Sequence, residues 1–151
     1  MKTKFSKTWI SSTQPRKQRK YRFNAPLTVK RKFLSINLSK ELRTKHGIRN
    51  IKPRVGDKVK VERGTYKSKT GSIERIDTKN TKIYITKIEL TKKDGSKSKV
   101  PINPSNLQIT ELDLTDKIRK NNLAKKTEAS NKQEEISRQV RSGTSSKQEA
   151  K

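Results

Sequence analysis

The side chains best placed for chemistry in this chain are cations set beside aromatic rings. Gln14-Pro15-Arg16-Lys17-Gln18-Arg19-Lys20-Tyr21-Arg22-Phe23 puts five basic residues and two aromatics into ten positions, and Lys30-Arg31-Lys32 follows. A guanidinium grips two phosphate oxygens in parallel, an ammonium supplies point charge, and Tyr and Phe rings stack on unpaired bases. A second cluster is Arg63-Gly64-Thr65-Tyr66-Lys67-Ser68-Lys69-Thr70-Gly71. Its two glycines let the backbone turn and come close to a phosphate, with Arg63, Lys67 and Lys69 around a tip bearing Tyr66. Each cluster has a plainer reading: a solvated basic tail or localisation signal for the first, an ordinary glycine-bounded hairpin for the second. The charge surrounding the first decides for nucleic acid; spacing alone leaves the second open.

That charge is large and uneven. The 151 residues hold 40 Lys+Arg against 14 Asp+Glu, a formal net charge of +26, on a chain only 26% hydrophobic. Residues 1–52 contain 16 basic residues and one acidic one. A single well-filled core over the whole length is excluded, and a polyanionic partner is implied. No run approaches the ~20 apolar residues of a membrane span, and residues 1–30 lack a signal-peptide core. With no Cys and His46 as the one His, disulfides, thiolate metal sites and a Cys/His catalytic pair are out of reach. Asp57, Glu62, Glu74 and Asp77 read as scattered surface acids with no paired-carboxylate pattern, so the chain is not read as an enzyme. His46 reads as a capping or phosphate-facing residue.

Three segments would position these groups: a basic arm over 1–52, a β domain over 53–110, and a short helix leading into a polar tail over 111–151. Eleven of the nineteen Val and Ile residues lie in the middle segment. Alternation predicts strands at 56–63, 71–76, 82–90, 99–102 and 107–109, with a bulge where Ile73 and Ile76 break the period and a hairpin turn at Asp94-Gly95. Pro101, lacking an N–H, belongs at an edge. Five short strands with one apolar stripe each would curl into a small barrel. In the arm, Asn24 is expected to cap a helix with Pro26 in its first turn. A second helix should start at Ser39 and stop at Gly47. Acids before bases in Asp113–Lys120 suit a helical turn, and 122–151 should be disordered or frayed.

Val59-Lys60-Val61-Glu62-Arg63-Gly64-Thr65-Tyr66-Lys67, followed by Gly71-Ser72-Ile73, resembles the KOW motif, a strand–loop–strand element of small SH3-like barrels. Arg22-Phe23-Asn24-Ala25-Pro26, Leu38-Ser39-Lys40-Glu41-Leu42-Arg43 and Pro104-Ser105-Asn106-Leu107-Gln108-Ile109 occur in the same order in one family. This is large-subunit ribosomal protein twenty-four of archaeal and eukaryotic type (eukaryotic twenty-six). The similarity spans about Arg19 to Lys120. Two positions depart: Ser68 stands where a second Gly is common, and Asn103 where His is common before Pro-Ser.

The resemblance implies a mainly β fold: a five-stranded SH3-like barrel between a basic N-terminal arm with short helices and a polar tail. It also implies a structural constituent of the large ribosomal subunit, cytoplasmic, near the peptide exit tunnel. Such a protein binds large-subunit rRNA near its 5′ part and supports early assembly. The rRNA contacts expected in the arm are Arg16, Lys17, Arg19, Lys20, Tyr21, Arg22, Phe23, Asn24, Lys30, Arg31, Lys32 and Arg43. Arg54, Arg63, Gly64, Tyr66, Lys67, Lys69 and Gly71 are those of the β domain, with Ser105, Lys117 and Arg119 beyond. Partners are the rRNA and neighbouring ribosomal proteins, with no cofactor, metal, membrane, small-molecule substrate or homo-oligomer. A transcription elongation module would share the barrel but has no reason for the Phe23–Pro26 arm. A general DNA-compacting protein would explain the charge but not the two-glycine loop.

Overall fold

Period-two runs of Val and Ile build the centre of the computed structural model, which describes residues 5–125 and 127–128. Thirteen elements precede the last helix. A 3-10 turn (Lys7–Ser11) leads into α1 (Pro15–Asn24), α2 (Leu27–Phe33), β1 (Ile36–Leu38), α3 (Lys40–His46) and β2 (Asn50–Ile51). Then come β3 (Lys58–Val61), β4 (Thr70–Asp77), β5 (Lys82–Ile85), β6 (Glu89–Thr91), β7 (Lys97–Lys99), a 3-10 turn (Pro104–Asn106) and β8 (Leu107–Glu111). A last helix, α4, runs through 117–125. Most of the tail expectation, from 129 on, lies outside the described residues.

The fold is mixed helix and sheet, with eight strands where five were expected. Six form one sheet in the order β2-β1-β8-β3-β4-β5, and β6-β7 make a separate hairpin. All pairs are antiparallel except β1–β8. The boundary expected at 52/53 therefore runs through this sheet, because β1 and β2 come from the basic segment. Three and two residues long, those strands are too short to show alternation. Ile36 and Leu38 are nonetheless fully buried, in one core with Val59, Val61, Ile73, Ile83, Ile85, Leu107 and Ile109. The bulge is present: register shifts between Ile73 and Arg75 against β5. The predicted strand at 82–90 is broken after Ile85, where Lys87 takes φ 66° and sends Leu90 into the exposed hairpin. That hairpin turns at Asp94-Gly95, with Gly95 at φ 80°. After exposed Pro101, Ile102 pairs with Ile83 on the edge of β5.

Helix ends follow local chemistry, with one correction. Ser39 Oγ accepts from Leu42 N at 3.3 Å, and Gly47, at φ 60°, donates to the Arg43 carbonyl, so α3 starts and stops as expected. Asn24 does not cap α2. It ends α1, Ala25 is extended, and Pro26 is the N-cap. Proline excludes its predecessor from helical geometry, which separates the two helices here. The stretch 15–24 is itself helical, with Pro15 in its first turn. The arm also carries aromatic packing of its own: Tyr21 stacks on Phe5 at 5.2 Å and meets the edge of Phe33 at 5.9 Å.

At the opposite end, Asp57 is fully buried and not a surface acid. Its Oδ1 accepts from Arg119 at 2.6 Å and from Asp113 N at 2.9 Å. Its Oδ2 accepts from Arg119 and Arg54 N, both at 2.8 Å. This bidentate pair fastens α4 to the start of β3. Asp116 Oδ1 accepts from Ile118 N at 2.9 Å and opens α4, later than the helical turn expected from Asp113.

Candidate nucleic-acid interface

α1 presents Arg16, Lys17, Arg19, Lys20, Arg22 and Phe23 to solvent. α2 adds exposed Arg31 and Lys32 and half-buried Lys30. The segment 1–52 contains one acid, Glu41, and none of these cations forms an ion pair among the described residues. A cleft of about 540 Å³ opens between these helices and two turns, at 78–81 and 103–106. It gathers Arg19, Arg22, Phe23 and Lys30 from the arm, and Ser105 from the last loop. The loop after β3 is tied to the same end, because Glu62 N donates to the Asn106 carbonyl at 2.8 Å. Arg63, Lys67 and Lys69 on that loop are exposed and likewise free of carboxylates among the described residues. The arm cations border the same cleft as the 103–106 turn, and a backbone hydrogen bond ties that turn to the β3–β4 loop.

The loop is held by its own backbone. Lys67 N donates to the Gly64 carbonyl, Ser68 N to that of Val61, and Val61 N to that of Lys69. Gly64 sits at φ 98° with open space where a Cβ would be, so conformation is its requirement. Ser68 sits at φ 69°, a strained region for a residue with a Cβ. Gly71 differs from the turn position expected for it. It lies inside β4 opposite Val59 and has no positive φ. A Cβ there would stand 2.7 Å from both Ile85 Cγ2 and the Thr86 carbonyl oxygen. Space is what Gly71 supplies. Gly71→Val should therefore lower stability by about 1–3 kcal/mol by forcing β4 from β5. RNA affinity should then fall only with the folded fraction, and a thermal melt unchanged from wild type would contradict this.

Four expected contacts are placed elsewhere. Tyr21 is 6% exposed within the aromatic cluster and has no face free for a base. Arg119 is 4% exposed and committed to Asp57. Tyr66 is half-buried against the core, with Lys69 Nζ 5.2 Å from its ring centre, so it covers the end of the sheet. Arg43 turns its Nε to the Leu38 carbonyl at 2.8 Å and supports α3. Arg54 pairs with Asp116, while Lys117 is exposed on α4. Arg31, Arg54 and Arg119 also border a second cleft, of about 780 Å³, beside Lys52 and Lys125. Asn24 is half-buried at the end of α1. Burial and then the Lys45 charge lower the His46 imidazole pKa from its ordinary value.

The sequence reading missed Lys79, Asn80 and Asn106 in the first cleft. A signal existed: Asp77 accepts from Lys79 N at 2.9 Å and Asn80 N at 3.1 Å, a turn that Asp-Thr-Lys-Asn spells out.

A family model that describes the eukaryotic ribosomal proteins L26 and their archaeal L24 counterparts matches residues 12–126. The chain is 44% identical over 119 residues to "Large ribosomal subunit protein uL24" of Nanoarchaeum equitans (strain Kin4-M), covering 79% of this chain and 80% of that one. It is 44% identical over 114 residues to the protein of that name from Methanoculleus marisnigri, covering 76% and 94%. The match to that of Methanocorpusculum labreanum is 42% over 110 residues, covering 73% and 91%.

Proposed function

This chain belongs to the ribosomal protein family of eukaryotic L26 and archaeal L24, and from that premise we propose that it is a structural constituent of the large ribosomal subunit, bound to its rRNA. The family is structural and not enzymatic. The observation that carries RNA binding is the set of arm and loop cations without carboxylate partners among the described residues, on either side of the 103–106 turn. Phosphates are the partner that such a surface lacks. In this reading β3, its loop and β4 are the KOW element of an SH3-like barrel. The protein works in the cytoplasm beside neighbouring ribosomal proteins, near the peptide exit tunnel and the 5′ part of the rRNA, from early assembly onward. An elongation module or a general DNA-compacting protein accounts for the barrel or the charge alone, and not for the match over 12–126.

An epitope-tagged full-length copy should sediment with large subunits and with joined ribosomes in sucrose gradients. Recovery at the top of the gradient, or with small subunits, would contradict the assignment.

A further inference from the structure

Phe23 is 81% exposed at the last turn of α1. An apolar ring so open to water is uncovered in the free protein, and its surroundings say what would cover it. Arg19 and Arg22 lie one turn and one residue before it, and Lys30 of α2 lies beside the same cleft. Across from them are amides of the 103–106 turn. Lys82 Nζ donates to Asn103 Oδ1 at 2.6 Å, which leaves the Asn103 amide N–H groups to donate elsewhere. The Asn106 side chain has no hydrogen-bond partner among the described residues.

We propose that this cleft takes one unpaired nucleotide, its base stacked on Phe23, its edge met by Asn103 and Asn106, and its flanking phosphates held by Arg19, Arg22 and Lys30. The proposal rests on the rRNA-binding reading and adds what form of RNA the surface selects. Paired bases of an A-form helix are stacked inside it, and its deep major groove is too narrow for a side chain to read. A bulged or looped-out base has a free face, and the cleft volume of about 540 Å³ is of the size that suits a small ligand. An apolar protein segment would leave the three cations unanswered, whereas a nucleotide brings both a π-face and an anion.

The test compares an RNA hairpin carrying one bulged 2-aminopurine with the same hairpin lacking the bulge, both titrated with the full-length protein. Wild type should prefer the bulged hairpin by at least about fivefold, the lower end of base–aromatic stacking, and should quench the bulged base. Phe23→Ala should abolish preference and quenching; Phe23→Tyr should keep both, with the salt dependence unchanged in each. Equal binding of the two hairpins by wild type, still steeply salt-dependent, would overturn the pocket and leave RNA binding standing. Phe23 would then be a contact for a neighbouring protein. Failure to bind either hairpin would overturn RNA binding itself, and the pocket with it.

Discussion

Asp57→Ala is expected to cost the fold about 3–5 kcal/mol, the usual result of removing one partner from a buried ion pair. The carboxylate accepts four hydrogen bonds, two from the Arg119 guanidinium and one each from Arg54 N and Asp113 N. Without it, Arg119 stays buried as an uncompensated charge, and two backbone donors lose their acceptor. Small domains have about 5–15 kcal/mol in all, so the variant should sit near the limit of folding. The double variant Asp57→Ala/Arg119→Met should recover part of the loss, because it leaves no buried charge behind. Urea midpoints, compared at equal slope, would measure both. A shift below about 1 kcal/mol, the range of an exposed ion pair, would mean that α4 is not fastened in solution as described.

RNA affinity should fall by about 10³–10⁵ between 50 and 200 mM salt if roughly six to ten phosphates are neutralised, taking the duplex-DNA relation as the guide. The structure supplies enough cations: Arg16, Lys17, Arg19, Lys20, Arg22, Lys30, Arg31, Lys32, Arg63, Lys67 and Lys69 have no carboxylate partner among the described residues. Each phosphate contact releases condensed counterions, so the effect is multiplicative across the surface. Lys17→Ala should lower the slope of log affinity on log salt by about one and cost little at low salt. Titration of an rRNA fragment at several salt concentrations measures the slope. A value near zero would contradict an electrostatic interface.

Much of this was legible in the residues, for reasons that differ by element. β3, β5 and β8 alternate strongly enough to declare themselves, β4 shows through its broken period as a bulged strand, and Ser39 and Gly47 mark α3 by side-chain and backbone chemistry that needs no tertiary context. β1 and β2 could not be read, because strands of three and two residues acquire their identity from pairing, β1 with β8, which is distant in sequence, and β2 with β1. The same separation hides the Asp57–Arg119 pair, whose members lie 62 positions apart, so that the sequence reads Asp57 as a surface acid and Arg119 as an rRNA contact. Tyr21 and Phe23 look alike in sequence, but the helical turn sends one ring onto Phe5 and Phe33 and the other into water. Gly71 reads as a turn glycine because a sequence shows only that a glycine is present, and only Ile85 and Thr86 show that space is what it provides.

The most direct test of the central claim is crosslinking in purified large subunits, with a photoreactive side chain placed at position 23 on α1 and, separately, at position 67 on the β3–β4 loop. If the arm and the loop form one rRNA-binding surface, both positions should crosslink to large-subunit rRNA, at nucleotides close together in the folded RNA. Crosslinks from both positions to ribosomal proteins alone, with none to rRNA, would contradict it.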